Sequence, residues 1–268
     1  YTSQYTLSLH DALPILLDAE KDKLHPVKNK RPIPSGKISY PLAYLEWLGI
    51  ALIGFLVASL VNTQFFWTAV IFWIAGLVYN VPPVRSKDIP YLDVLSESLN
   101  NPIRLFLGWF VLLPQHIPPL SLIISFWMAG AFFMAAKRLA EYRMINDAER
   151  AGNYRASFRY YNVNRLFISL LSYVSMCTLF LGIFIVRYHV EIILGVPIFI
   201  GFFSYYTKIT LKKDSLVQNP EKLYKNKKFM VYIAISLITF IILIFTSIPM
   251  LYDLFNIVPY KIRPLWTF

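Results

Sequence analysis

Two carboxylates and a dense basic run near the start of the chain have the composition of a metal and phosphate site. Asp18 and Asp22 are four residues apart, a spacing that places two side chains on one face of a helix. Lys30 and Arg31 belong to the basic run after them. Carboxylates hold Mg²⁺, and Lys and Arg bind the phosphate oxygens that such an ion carries. The pattern predicts that Asp18 and Asp22 bind a magnesium diphosphate, with a solvated charge run as the alternative.

A second set of polar side chains leads into an apolar segment. Asp93, Glu97, Asn101 and, roughly, Arg104 recur at helical spacing. Ionisable groups at membrane depth are costly and usually face a bundle interior or a water-filled cavity. The stripe predicts catalytic carboxylates and, beside them, substrate-binding residues at Lys87, Asn100, Asn101 and Arg104. A structural ion pair between Glu97 and Arg104 is the alternative.

The third set, Lys137, Arg138 and Glu141, lies directly after another apolar segment, and Arg155 comes later in the same loop region. Lys137 and Glu141 are at positions i and i+4 of a predicted helix. This set predicts a catalytic carboxylate at Glu141 and phosphate contacts from Lys137, Arg138 and Arg155. A helix with internal salt bridges is the alternative.

Apolar segments must position these three sets. Hydrophobic residues make up 57% of the 268 residues, above the ~45–50% of soluble domains, which indicates a membrane protein. A spanning helix needs about 20 apolar residues. Seven spans are predicted, at 41–62, 64–83, 97–115, 117–138, 163–186, 188–206 and 229–252. Short links between them predict antiparallel neighbours, hence an all-α, multi-pass helical bundle.

The placement of lysine and arginine predicts the orientation of this bundle. All but a few of the basic residues fall in loops on one side, which the positive-inside rule assigns to the cytoplasm. The three polar sets lie on that same side. A transporter or lipid-binding protein without chemistry is the main rival, but it would need polar groups through the midplane. The net charge is +11, but the basic residues lie in loops that alternate with apolar segments. No nucleic-acid partner is therefore expected.

The first fifteen residues do not match the rest of the chain. They lack a basic n-region, an apolar h-region and a small-residue cleavage site, so they do not form a signal peptide. We expect 1–15 to be a non-native segment and 16–268 to be a single transmembrane domain.

At these residues the chain resembles the UbiA superfamily of intramembrane prenyltransferases. Asp18 and Asp22 match the last two aspartates of the family's Asn-Asp-x-x-Asp-x-x-x-Asp motif, whose leading Asn-Asp would fall on Pro14-Ile15. The resemblance implies a fold of nine membrane helices, of which this chain would carry seven and lack the first two.

The family's second aspartate-rich motif usually contains Asp-x-x-x-Asp, and here Lys137-Arg138-x-x-Glu141 takes its place. This variant is similar to the branch that makes polyprenyl-phosphoribose from phosphoribosyl diphosphate and polyprenyl phosphate. His25-Pro26 and Arg31-Pro32-Ile33 also fit that branch.

The resemblance implies a magnesium-dependent transferase that expels diphosphate and acts on a polyprenyl lipid. The partners would be that lipid, a diphosphate-bearing donor and the surrounding membrane lipid. Prenyl transfer and phosphoribosyl transfer both remain open. The implied location is a prokaryotic inner membrane, with the active-site loops in the cytoplasm.

Overall fold

A computed structural model describes residues 16, 17, 19, 32–212, 215–218 and 220–255, and these residues form helices and no strand. The predicted all-α class is confirmed. The α-helices, in chain order, are α1 (Tyr40–Val61), α2 (Thr63–Asn80), α3 (Leu92–Ser98), α4 (Asn100–Leu112), α5 (Leu120–Ile145), α6 (Ala148–Tyr154), α7 (Val163–Tyr188), α8 (Val196–Thr210), α9 (Lys227–Phe245) and α10 (Pro249–Leu254). Short 3₁₀ turns lie at Ser86–Asp88, Ala156–Arg159, Val190–Gly195, Leu216–Gln218 and Pro220–Lys225.

Helices occur at each of the seven predicted spans. Within the described part of the chain, five segments are long and apolar enough to cross a membrane: Tyr40–Val61, Leu120–Ile145, Val163–Tyr188, Val190–Thr210 and Lys227–Phe245. The other two are shorter. Helix α2 has 18 residues with polar ends, and α4 has 13 residues, about 20 Å of helix. Only Leu99, with helical dihedral angles, separates α3 from α4, so the predicted polar stripe lies on a nearly continuous helix.

Asparagine and aspartate side chains begin several of these helices. Asn62 accepts a hydrogen bond from the backbone N–H of Phe65 at the start of α2. Asp147 caps α6, Asn162 caps α7 and Asn226 caps α9 in the same way. Each side-chain oxygen satisfies a backbone donor that the first helical turn leaves without a partner.

The core of the bundle lies where α5 packs along α7. Small residues of α5, among them Ala131 and Ala135, are fully buried and let the two helices approach closely. Ser125 donates a hydrogen bond across this contact to the carbonyl of Cys177 at 3.1 Å. The ring of Phe132 packs edge to face against the ring of Phe203 in α8, with the ring centres 4.8 Å apart. These contacts fix the axis and rotation of α5, and therefore the position of the side chains at its end.

The two ends of the bundle differ in their connections. At the end that we call the polar end, the last turns of α2 and α5 meet α3 and the turns Ser86–Asp88 and Ala156–Arg159. At the far end, the turn Val190–Gly195 packs against α9 and α10. Between the ends, α1 and α9 expose large aliphatic side chains on their outer faces, as membrane-facing helices do.

Candidate active site

The guanidinium of Arg138 is the centre of the polar end. Its Nη2 donates to Glu97 Oε2 at 2.7 Å, its Nη1 to Glu141 Oε2 at 3.2 Å, and its Nε to Asp93 Oδ2 at 3.4 Å. The side chain is only 2% exposed. The structure thus brings together Asp93, Glu97 and Glu141, the three predicted catalytic carboxylates of the second and third sets. Glu97 pairs with Arg138, and not with Arg104.

Asp93 is the most deeply buried member of this group, with no exposed side-chain surface. Tyr161 donates to its Oδ1 at 2.7 Å, and Ser157 donates to its Oδ2 at 3.1 Å. The Nε of Arg155 lies 3.4 Å from the same Oδ2. Burial, and then the charge and hydrogen bond of Asp93, raise the pKa of Tyr161, so this phenol remains a neutral donor.

Arg155 and Tyr79 connect the loop after α6 to helix α2. Arg155 Nη2 donates to Tyr79 Oη at 3.0 Å and to the backbone carbonyl of Lys87 at 3.3 Å. Tyr79 in turn donates to Glu97 Oε2 at 2.8 Å. Glu97 therefore accepts from both Tyr79 and Arg138, and the predicted substrate-binding residue Arg155 lies within the same hydrogen-bonded network.

The loop before α3 holds Asp93 in place through an unusual backbone. Arg85 and Tyr91 have positive φ angles of 34° and 64°, a region that costs a non-glycine residue about 1–3 kcal/mol. The backbone N–H of Tyr91 donates to the Tyr161 hydroxyl, and its ring meets the Tyr160 and Tyr161 rings edge to face. The segment 157–161, which supplies hydrogen-bond donors to Asp93, therefore also fixes the backbone conformation at the start of α3.

Two lysines lie beside this network. Lys87 Nζ donates to Asn80 Oδ1 at 3.4 Å, and Asn80 is itself buried with its amide on the Gly76 carbonyl. Lys137 is half-buried, and its charge acts on Glu97 through space. No hydrogen bond or ion pair joins Lys137 to another described residue.

Three predicted substrate-binding residues of α4 have other surroundings. Arg104 lies over the ring of Phe72, with its guanidinium carbon 5.5 Å from the ring centre. The amide of Asn101 lies so close to Gly130 that a Cβ built there would be 2.1 Å from Asn101 Nδ2. Asn100 is buried at the start of the helix. Asn101 therefore contacts α5 at Gly130, about two helical turns from Arg138 and away from its cluster.

The first predicted set is only partly visible. Asp18, Asp22, Lys30 and Arg31 lie outside the described residues. Leu16 and Ala19, which flank Asp18 in the sequence, are buried in a cluster with Trp47, and Trp73 and Leu77 pack against that cluster. Among the described residues, no group of three or more His, Cys, Asp or Glu side chains could hold a metal ion.

An apolar cavity of about 500 Å³ lies between α4, α5, α7, α8 and α9. Its walls are aliphatic and aromatic, with Phe133, Phe199 and Phe240 among them, and Ser125 and Cys177 are two of its few polar members. Arg138 comes five residues after Phe133 on α5, about 8 Å along the helix axis. The helix that carries the central guanidinium thus also lines the cavity.

Several contributors were not predicted as site residues. Tyr79, Ser157 and Tyr161 all donate within the network, and their polar type near charged neighbours is the only sequence signal for them. At the far end, Glu191 is fully buried, and its Oε2 lies 2.6 Å from His189 Nδ1. The sequence indicates this pair only through Glu191, an ionisable residue inside the predicted span 188–206.

Comparison with protein families decides the identity of this bundle. A model of the UbiA prenyltransferase family matches residues 15–233, most of the chain and all of the polar end described above. The chain belongs to the UbiA prenyltransferase family. The expectation drawn from Asp18, Asp22 and the polar loops is confirmed at the level of the family. No curated protein matches the chain.

Solved structures of a UbiA homolog from Archaeoglobus fulgidus share the fold. One structure has a TM-score of 0.63 at 20% identity and covers 89% of this chain and 84% of that chain. The same homolog bound to DMAPP and Mg²⁺ has a TM-score of 0.64 at 19% identity, with coverage of 87% and 82%. Bound to GPP and Mg²⁺, it has a TM-score of 0.65 at 20% identity, with the same coverage. At these identities the likeness concerns the fold.

Proposed function

We propose that this UbiA family member is a magnesium-dependent intramembrane transferase that expels diphosphate and acts on a polyprenyl lipid. The observation that carries the proposal is a group of three carboxylates that lies among basic side chains at one end of an apolar bundle. The carboxylates are Asp93, Glu97 and Glu141, and the basic residues are Lys87, Lys137, Arg138 and Arg155. Such a site suits an anionic head group. The apolar cavity on the same helix suits the hydrocarbon tail of that substrate.

The predicted metal ligands are Asp18 and Asp22. Carboxylate oxygens are suitable Mg²⁺ ligands, and the neighbouring Leu16 and Ala19 pack near the end of α2 that carries Tyr79. Magnesium would supply charge neutralisation for the departing diphosphate. In the homolog structures, DMAPP or GPP is bound together with Mg²⁺, which supports the same pairing here.

The basic residues divide into two kinds of role. Lys137, Arg155, Lys30 and Arg31 would neutralise charge on the leaving diphosphate, a contribution that preorganised charges make at the transition state. Arg138 would hold Asp93, Glu97 and Glu141 in place. The carbon that diphosphate leaves becomes cationic, and the partly exposed Glu97 carboxylate is suited to face it. Asn100, Asn101 and Arg104 would orient the acceptor.

Phosphoribosyl transfer to polyprenyl phosphate is the second candidate. The observation that favours it is the Lys137-Arg138-x-x-Glu141 sequence at the end of α5, where the family usually has Asp-x-x-x-Asp. A phosphorylated acceptor and a diphosphate donor together bring more negative charge than one prenyl diphosphate. The basic side chains Lys87, Lys137, Arg138 and Arg155 supply positive charge that suits such a pair of substrates.

We also propose that the polar end faces the cytoplasm of a prokaryotic cell and that the bundle lies in its inner membrane. The support is the excess of Lys and Arg in the loops of that end. A cysteine introduced at the exposed Glu149 should react with an impermeant maleimide only in inverted vesicles. Reaction in right-side-out vesicles alone would reverse the orientation.

The function is tested by diphosphate release from vesicles that contain the protein, a polyprenyl acceptor and either a prenyl diphosphate or phosphoribosyl diphosphate. We expect magnesium-dependent release with one of the two donors, and its loss in Asp22→Ala and Glu141→Ala. Glu149→Gln, an exposed carboxylate on the same side, is the control and should keep the wild-type rate. Unchanged turnover in both Ala variants would remove the site assignment, and the donor that works decides between the two reactions.

A further inference from the structure

The three carboxylates of the polar end converge on one point, and that point is occupied by a side chain. Nε, Nη1 and Nη2 of Arg138 face Asp93, Glu141 and Glu97 respectively, at 3.4, 3.2 and 2.7 Å. Each nitrogen of the guanidinium therefore serves a different carboxylate. The planar fork of arginine makes this three-way contact possible, whereas a lysine ammonium would act only as a point charge.

Without the guanidinium, these three carboxylates would repel one another unless they moved closer together around another cation. Their oxygens are hard ligands of the kind that Mg²⁺ and Ca²⁺ prefer. Asp93 has no exposed surface and Glu141 is mostly buried, so the repulsion that these two carboxylates exert on each other would be weakly screened. A positive group at the centre is therefore a requirement of the arrangement, and either a protein side chain or a metal ion can satisfy it.

We propose that the Arg138 guanidinium is a built-in cation that holds the place of a divalent metal, so that this half of the site binds none. A guanidinium keeps its charge across the physiological pH range and cannot dissociate from the chain. The charge at the centre of the cluster is then constant, whatever the concentration of magnesium. Arg138 acts through the carboxylates that it holds and is a positioning residue.

This arrangement changes how the neighbouring cations are used. Arg138 has three of its nitrogens committed to protein carboxylates, and Arg155 contacts Asp93, Tyr79 and Ser157. Lys137, one residue before Arg138, makes no such contact with a described residue. Lys137 is thus the cation beside the carboxylate cluster on α5 that an incoming phosphate can engage. This consequence for the reaction rests on the proposed function, whereas the number of bound metal ions does not.

The test counts Mn²⁺ bound to the purified protein in detergent by electron paramagnetic resonance, with no substrate present. In Arg138→Met, where the carboxylates lose their cation, we expect one additional bound Mn²⁺ per chain compared with the wild type. Adding Glu97→Gln to Arg138→Met should remove that ion or weaken its binding at least tenfold. Arg165→Met is the matched control, because Arg165 lies on the exposed ring of Tyr160, and its Mn²⁺ count should equal that of the wild type.

A monodisperse Arg138→Met protein that binds no additional Mn²⁺ would overturn the proposal. If that variant does not fold, Glu97→Gln and Glu141→Gln are compared with the wild type instead. An unchanged Mn²⁺ count in both supports the built-in cation, and a lower count in either one overturns it. Since no donor or acceptor is needed, the result is independent of whether the protein transfers a prenyl or a ribosyl group.

Discussion

One fully buried carboxylate lies at each end of the bundle, and the two are hydrogen-bonded by different kinds of partner. Asp93 at the polar end and Glu191 at the far end both have essentially no exposed surface. Asp93 is bound by the side chains of Arg138, Arg155, Ser157 and Tyr161, which come from distant parts of the chain. Asp93 thus has four side-chain partners, two of them cationic.

Glu191 has nearby partners that belong mainly to the frame of the fold. Its Oε1 accepts from the backbone N–H of Ile248 at 2.9 Å, and its Oε2 lies 2.6 Å from His189 Nδ1. The other ring nitrogen of His189 lies 2.6 Å from the Ile244 carbonyl near the end of α9. The pair joins the turn after α7 to the end of α9 and the start of α10.

The difference teaches that burial of a charge does not by itself mark a site. Both carboxylates are costly in an apolar bundle, and both are therefore fully hydrogen-bonded. The polar end is distinguished by an additional cation, since Lys137 brings positive charge that no ion pair with a described carboxylate uses. The far end has only the partners that its fold requires.

Removing the central cation should have the largest effect on stability. Arg138→Met leaves Asp93, Glu97 and Glu141 without it, and breaking a buried ion pair such as that of Asp93 typically costs about 3–5 kcal/mol. We expect a loss of this size in the free energy of unfolding, measured by denaturant titration in detergent. Arg165→Met should change it by less than about 0.5 kcal/mol. A loss below about 1 kcal/mol in Arg138→Met would show that the cluster is not held by its guanidinium.

Glu191→Gln should separate stability from activity. The amide keeps an acceptor for Ile248 but places a neutral group against His189, which should cost about 1–3 kcal/mol in the same titration. Diphosphate release per folded molecule should equal that of the wild type. A loss of that activity would break the comparison, because the far end would then contribute to the reaction.

Gly130→Ala tests the close contact between α4 and α5. The new Cβ would meet the Asn101 amide at 2.1 Å and the Ser98 Cβ at 3.3 Å, so Asn101 must move. Overpacking of this kind costs about 1–3 kcal/mol. Gly182→Ala in α7, where a Cβ meets nothing within 4 Å, is the control and should be neutral or slightly stabilising. Equal stability of the two variants would argue against the contact.

Lys137→Met should have the smallest effect on stability and a clear effect on substrate. Because Lys137 makes no ion pair with a described residue, we expect a change of less than about 0.5 kcal/mol in unfolding free energy. Loss of one charged contact to diphosphate should raise the KM for the donor about tenfold. Lys137→Arg is the conservative variant and should recover most of that loss. An unchanged KM in Lys137→Met would assign the phosphate contact to another residue.

The fold was largely predictable because membrane helices are long apolar segments between polar loops. The predicted span 163–186 corresponds to Val163–Tyr188, and Asn62 caps α2 where the spans 41–62 and 64–83 are joined by a short link. The predicted span 97–115 begins at Asn100 and ends at Leu112, because polar Asn100 and Asn101 start the helix and α3 is a separate element. Hydropathy does not detect that division, since Leu99 continues the helical backbone.

The convergence of the site was predictable, but its internal pairing was not. Helical spacing indicated that Asp93 and Glu97 share a face and that Glu141 lies at the same end of the bundle. Sequence separation could not show that Glu97 pairs with Arg138, 41 residues away, while Arg104 lies on Phe72. Tyr161, 68 residues from Asp93, was not assigned to the site for the same reason.

The positions of the Asp93 partners along the chain have a consequence for biogenesis. Arg138, Ser157 and Tyr161 come after Asp93 by 45, 64 and 68 residues. A chain synthesised from its N-terminus therefore delivers this carboxylate to the membrane well before any of them has left the ribosome. Until Arg138 emerges, Asp93 lacks the cation that pairs with it in the folded protein, and we expect α3 to stay in contact with water. We therefore expect the polar end to close only after α5 has been synthesised.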